Sequence, residues 1–78
     1  MIEEKFESYF KELGINIKAF RKERKLSQKE LGNLVEPKLD KSKISDMENG
    51  KEDFTFTTLL RLSIALNVRV EDITKGIG

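Results

Sequence analysis

Apolar positions along the first third of the chain fall on one side of a helix: Phe6, Phe10, Leu13, Ile17 and Phe20 recur at steps of four, three, four and three. The stripe continues to about Arg24, and Gly14 interrupts it at a cost of roughly 1 kcal/mol relative to alanine. Either the helix bends there or a new one starts at Asn16, and the unbroken stripe favours one continuous helix. A second helix opens at "LSQKELGNLV", where Ser27 is placed to cap and Glu30, three residues on, to return the bond. Its expected buried side is Leu31, Leu34 and Val35. Gly32 is poor for helix propensity but useful where another backbone comes close. Pro37 ends the element, because the residue before a proline avoids helical dihedrals.

The stretch "SKISDMENGKEDF" reads as the end of a third, short helix, capped at its start by Asp40 and closed by Gly50 in the left-handed conformation. Only Ile44 and Met47 look made for a core, while Lys41, Ser42, Lys43, Ser45, Asp46 and Asn49 face elsewhere. Thr55 caps a fourth helix with the wide apolar arc Phe56, Leu59, Leu60, Leu62, Ser63 and Leu66, expected as the central strut of the core, and Asn67 ends it. Val68, Val70 and Ile73 supply a short fifth helix or turn. The expectation is an all-α, compact five-helix domain without strands, repeats or linkers.

Composition narrows what such a domain does. With 78 residues and no cysteine, one small core must fold on packing alone, without disulfides or a thiolate metal site. Histidine is absent, and the carboxylates are scattered among lysines with no glycine-rich phosphate loop, so no enzyme, metal or cofactor is expected. No apolar run exceeds three residues, and "MIEEKFESYF" is acidic, so no membrane span is expected and a cytoplasmic protein is the default.

The net charge of +1 conceals a gradient. Residues 17–51 hold ten basic against six acidic residues, a net +4, whereas residues 1–16 come to −2 and residues 52–78 to −1. A phosphate backbone rewards clustered Lys and Arg, so the middle segment is where a nucleic acid would bind. Two short capped helices joined by a turn in that same segment describe a helix-turn-helix. There the second helix is held by a few core contacts so that its polar face enters the major groove.

Three stretches resemble the phage-repressor-like helix-turn-helix proteins of the Xre, or Cro/repressor, type over about Leu13 to Ile73. "LGINIKAFRKERKLSQKEL" is similar to the family's first helix and the Ser-Gln-x-x-Leu start of its second. "ISDMENGK" is similar to the Ile-Ser-x-x-Glu-x-Gly-Lys end of its recognition helix, and "FTTLLRLSIALNVRVEDI" to its last two helices. The chain departs from the pattern in three ways. Two additional residues lie between Leu31 and Ser45, in "VEPKLDK"; Gly32 stands where alanine is usual; and the loop after Gly50 reads Lys51-Glu52-Asp53 where relatives are often basic.

The resemblance implies double-stranded DNA as partner and the following site. Gln28 would bond a phosphate at the start of the second helix, where free backbone N–H groups also favour an anion. Lys41, Ser42 and Asp46 would reach base edges, lysine to guanine, serine either way, aspartate to cytosine N4. Ser45 would be a neighbouring groove contact and Lys43 a further DNA contact, and the carboxylate of Asp46, near phosphates, would need Lys43 or Lys41 as a partner. Asn49 and Lys51 would touch the sugar-phosphate backbone. Arg21 is implied to pair with Glu48 rather than to touch DNA.

The implied function is that of a small transcriptional regulator, a repressor acting as a homodimer on a palindromic operator, with no small-molecule ligand. The competing reading is a protein-interaction module on the same fold without DNA. The expected organisation is an extension of the first helix over residues 1–12, the DNA-binding domain over 13–74 and a frayed tail over 75–78. Two pairing surfaces compete for the homodimer: Ile2, Phe6, Tyr9 and Phe10 of the extension, or Val68, Val70, Ile73 and Ile77.

Overall fold

The first apolar stripe folds as one helix, α1 (Glu4–Glu23), running through Gly14 without a break. A computed structural model describes residues 4–77, with side chains from Phe6 onward. Gly14 is buried where α1 meets the end of a later helix: a Cβ there would collide with the carbonyl oxygens of Met47 and Glu48. The glycine that weakens the helix locally is what lets that later helix approach it.

The remaining elements are α2 (Gln28–Leu34), α3 (Lys41–Glu48), α4 (Phe56–Leu66) and α5 (Val70–Ile73), with no strand among the described residues. Both halves of the capping box on α2 are formed: the Glu30 N–H donates to Ser27 Oγ at 3.0 Å and the Ser27 N–H to Glu30 Oε1 at 2.8 Å. The bond from the Ser27 backbone, followed by that to its side chain, lowers the Glu30 pKa from its ordinary value. A depressed carboxylate contributes its stabilisation above its unfolded pKa and loses it as pH falls through the lower folded value. Acidification therefore weakens the half of the box made by the carboxylate, while the bond from the Glu30 N–H to the Ser27 hydroxyl does not depend on that charge.

Thr55 caps α4 in the same way, accepting from the Thr58 N–H at 3.1 Å. Asp40 occupies the N-cap of α3 with extended backbone angles, but its side chain makes no capping bond, contrary to the expectation from sequence. The start of α3 is held instead by the chain leading into it. The Leu39 N–H donates to the Gly32 carbonyl at 3.0 Å, and a Cβ on Gly32 would strike the Leu39 carbonyl oxygen. Arg61 of α4 secures the other side of that turn, donating from Nε to the Glu36 carbonyl at 3.1 Å and from Nη2 to that of Pro37.

Three helices stop by one device, in which crossed backbone bonds satisfy the last carbonyls and one residue turns left-handed. After α1 the Leu26 N–H reaches Arg21 O and the Lys25 N–H reaches Lys22 O; after α3 Lys51 reaches Asp46 and Gly50 reaches Met47; after α4 Val68 reaches Ser63 and Asn67 reaches Ile64. The left-handed residues are Lys25 (φ 57°), Gly50 (φ 71°) and Asn67 (φ 56°). Glycine and asparagine suit that conformation, but lysine's Cβ crowds the following carbonyl. Lys25→Gly is expected to stabilise the domain by about 0.5–1 kcal/mol, read as a raised urea midpoint with unchanged slope.

The core is Leu13, Ile17, Leu31, Val35, Ile44, Met47, Leu59, Leu62, Leu66 and Ile73, to which every helix contributes. Three side chains assigned to it from sequence lie outside: Leu34 is 52% exposed, Phe56 65% and Leu60 41%. Leu34 ends a helix of only two turns whose inner side is already filled by Leu31 and Val35, and Phe56 and Leu60 lie on the outward side of α4 with Ile64. Ser63, by contrast, is buried, its hydroxyl donating to the Leu60 carbonyl at 2.7 Å. Near the tail, Asn16 Nδ2 donates to the carbonyls of Ile73 (2.7 Å) and Lys75 (3.3 Å), and Ile77 packs against the core.

Candidate nucleic-acid interface

α3 has three interior side chains, Ile44, Met47 and Glu48, and one of them is charged. Glu48 is buried because Arg21 of α1 meets it in a two-point bond, Nε to Oε2 at 2.6 Å and Nη2 to Oε1 at 3.1 Å, while Arg21 Nη1 donates to the Leu26 carbonyl at 2.8 Å. Gln28 of α2 adds a third contact to the same carboxylate, Nε2 to Oε1 at 3.1 Å. One carboxylate thus ties three helices together, and it fixes the angle at which α3 leaves the body. The pairing of Arg21 with Glu48 implied by the sequence is what the structure contains.

With its inner side committed, α3 presents the rest outward. Lys41, Ser42 and Asn49 are exposed, and Lys43, Ser45 and Asp46 are half-buried at the edges of the helix. Ser42, Ser45, Asp46 and Asn49 follow at steps of three, one and three, and so share one face. Asn49 Nδ2 lies 3.4 Å from Ser45 Oγ, a long contact along that face. Lys51 is exposed just past the end of the helix.

Gln28 stands apart from these, at the first position of α2, half-buried with its amide turned to Glu48. An amide nitrogen carries two hydrogens, so the bond to Glu48 leaves one for another acceptor. Lys43 is also engaged: its Nζ lies 2.9 Å from Glu52 Oε2, across the turn that Gly50 makes. Arg24, on the basic flank of α1, donates to the Phe20 carbonyl at 3.1 Å and lies over the Phe20 ring at 5.5 Å.

Reading the sequence alone gives no positioning role to three residues that shape this face. Arg61 holds the turn before α3, Phe54 packs its ring against Phe10 at 6.1 Å behind the turn after it, and Glu52 holds Lys43. Phe54 carried a visible signal, as the one aromatic residue in a charged loop. Arg61 carried none, since an arginine on a helix meets a distant carbonyl only through the tertiary fold.

A helix-turn-helix family model (HTH_3) matches residues 17–73, most of the chain and all of α2 to α5. The chain belongs to the helix-turn-helix family. Among solved structures, the P22 c2 repressor in complex with a synthetic operator is 33% identical, with a TM-score of 0.72 over 82% of this chain and 94% of that one. The restriction-modification controller C.AhdI from Aeromonas hydrophila shares the fold at 24% identity, with a TM-score of 0.79 over 85% of this chain and 97% of that one. The same fold forms 37% of the chain of hydroxypropylphosphonic acid epoxidase from S. wedmorenis, at 20% identity and a TM-score of 0.81 over 92% of this chain. No curated protein matches the chain in sequence.

The helix-turn-helix assignment makes transcription regulation by DNA binding the function of the domain, and its family is one of regulators rather than enzymes. None of the described helices is long and apolar enough to cross a membrane.

Proposed function

We propose that the domain is a sequence-specific double-stranded DNA binder that acts in the cytoplasm as a small repressor, two copies meeting on a palindromic operator. The observation that carries this reading is the division of labour on α3: three interior contacts fix the helix, and its polar residues remain outward at groove-reading spacing. Lys41, Ser42 and Asp46 read bases, with Ser45 beside them. Asn49, Lys51 and the second amide hydrogen of Gln28 hold phosphates, and Lys43 joins them.

Dimerisation follows from information: one recognition helix reads only a few base pairs, and two half-sites one duplex turn apart supply the rest. Of the pairing surfaces weighed from sequence, Ile73 is fully buried and Val68, Val70 and Ile77 are half-buried against the core. Phe10 is partly buried against Phe54, Phe6 and Tyr9 are about two-fifths exposed, at 42% and 41%, and Ile2 lies outside the described residues. The outward row Phe56, Leu60 and Ile64 on α4, with Ile64 79% exposed, is a further apolar surface and supports pairing there.

A fluorescence titration of selected and random duplexes at several salt concentrations tests the reading, with sedimentation giving the number of chains per duplex. Lys41→Ala is expected to cost roughly 1–3 kcal/mol on the selected duplex and relax preference at one base pair, whereas Gln28→Ala weakens all duplexes about equally. Equal affinity for selected and random duplexes overturns sequence specificity, and one chain per duplex overturns the homodimer. No binding at low salt favours the protein-interaction module.

A further inference from the structure

The α3–α4 loop carries a carboxylate within ion-pairing distance of the recognition helix. Gly50 reverses the chain at φ 71°, and two residues later Glu52 Oε2 reaches Lys43 Nζ at 2.9 Å. The pair is partly shielded, with the Lys43 side chain 44% exposed and that of Glu52 29%. Lys43 is the one recognition-helix residue of the proposed interface whose charge is met by a carboxylate among the described contacts. On the same loop Lys51 and Asp53 are both exposed, so the loop itself carries one positive and two negative charges.

We infer that Glu52 is a positioning residue that restrains DNA affinity: it holds the Lys43 ammonium in the free protein, so that a phosphate must compete with a resident carboxylate for it. The inference rests on the DNA-binding reading above. Its physical content is that the gain from a lysine–phosphate contact, which includes release of a condensed counterion, is reduced when the lysine already has an anionic partner. The cation is partly neutralised before DNA arrives, and the displaced carboxylate remains beside the polyanion. This term acts on every sequence alike. Glu52 therefore sets the strength of backbone binding, leaving base preference to Lys41, Ser42 and Asp46.

The experiment is a double-mutant cycle of Lys43→Gln, Glu52→Gln and both together, each titrated with selected and random duplexes over a salt series. Glu52→Gln keeps the side chain's size and removes only its charge. It is expected to steepen the slope of log K against log salt by about 0.9 and to tighten binding about eightfold at 0.1 M salt, equally for both duplexes. In the Lys43→Gln background the same change is expected to have a much smaller effect.

A Glu52→Gln protein that melts like the wild type and binds with unchanged slope overturns the inference while leaving DNA binding intact. An equal gain with and without Lys43 also overturns it, since the effect would then be a general field. If neither wild type nor Glu52→Gln binds at low salt, the DNA-binding reading falls and the inference with it. Binding that appears only in Glu52→Gln supports both.

Discussion

Glu48→Ala is expected to cost the domain about 3–5 kcal/mol, the usual loss when one partner of a buried ion pair is removed. Taken at about 0.05–0.15 kcal/mol per residue, a domain of this size holds about 4–12 kcal/mol in all. The variant should therefore lose a large fraction of its stability and melt well below the wild type. The magnitude follows from burial: the Arg21 side chain is 10% exposed and that of Glu48 2%. Without the carboxylate the guanidinium keeps only the Leu26 carbonyl among its described partners, and its charge is left buried and unpaired. Gln28 loses its acceptor at the same time. Arg21→Met with Glu48→Leu should recover much of the loss, because an apolar pair carries no desolvation penalty. Urea unfolding followed by circular dichroism measures both, and a loss below about 1 kcal/mol for Glu48→Ala would mean that the pair behaves as a surface bridge.

Gly32→Ala sets local preference against tertiary approach. Helix propensity favours alanine by roughly 1 kcal/mol, and the family resemblance also points to alanine there. The structure opposes both, since the added methyl would strike the carbonyl oxygen of Leu39 and lie 3.6 Å from Ile44 Cγ1. The obstructing atom is backbone, tied to α2 by the Leu39 N–H bond to Gly32 O, so relief requires moving the turn. A net loss of about 1–3 kcal/mol is expected, as for other overpacked sites. Because that turn leads directly into α3, affinity for a selected duplex should fall at temperatures where the variant is still folded. A Gly32→Ala protein more stable than wild type would show that the turn yields easily.

Where the sequence was legible, the interactions were local. The capping box of Ser27 and Glu30, the Thr55 cap and the Gly50 stop lie within a few residues of chain, and each formed as read. Pairings across the fold were legible only through resemblance, as with Arg21 and Glu48, twenty-seven residues apart. Leu34, Phe56 and Leu60 were misassigned because a periodic stripe gives the direction of a helix face but not how much of it its neighbours cover. Lys25 in a left-handed turn gives no compositional sign, since lysine is an ordinary residue at a helix end. The polar residues of α3 could be named because so little of that helix was apolar. Which duplex atoms they would meet on the proposed reading depends on the longer turn, and the anchoring of that turn by Gly32 and Arg61 is a tertiary fact.

The three interior contacts of α3 also bear on how such a protein changes its target. Folding information in this helix resides in Ile44, Met47 and Glu48, and on the proposed reading base recognition resides in Lys41, Ser42, Ser45 and Asp46. The two alphabets are interleaved but do not overlap. If those positions read bases as proposed, sequence drift at Lys41, Ser42, Ser45 and Asp46 can change the operator while the buried contacts of α3 stay in place. A lineage built on this scaffold can diverge in what it recognises while its interior stays unchanged.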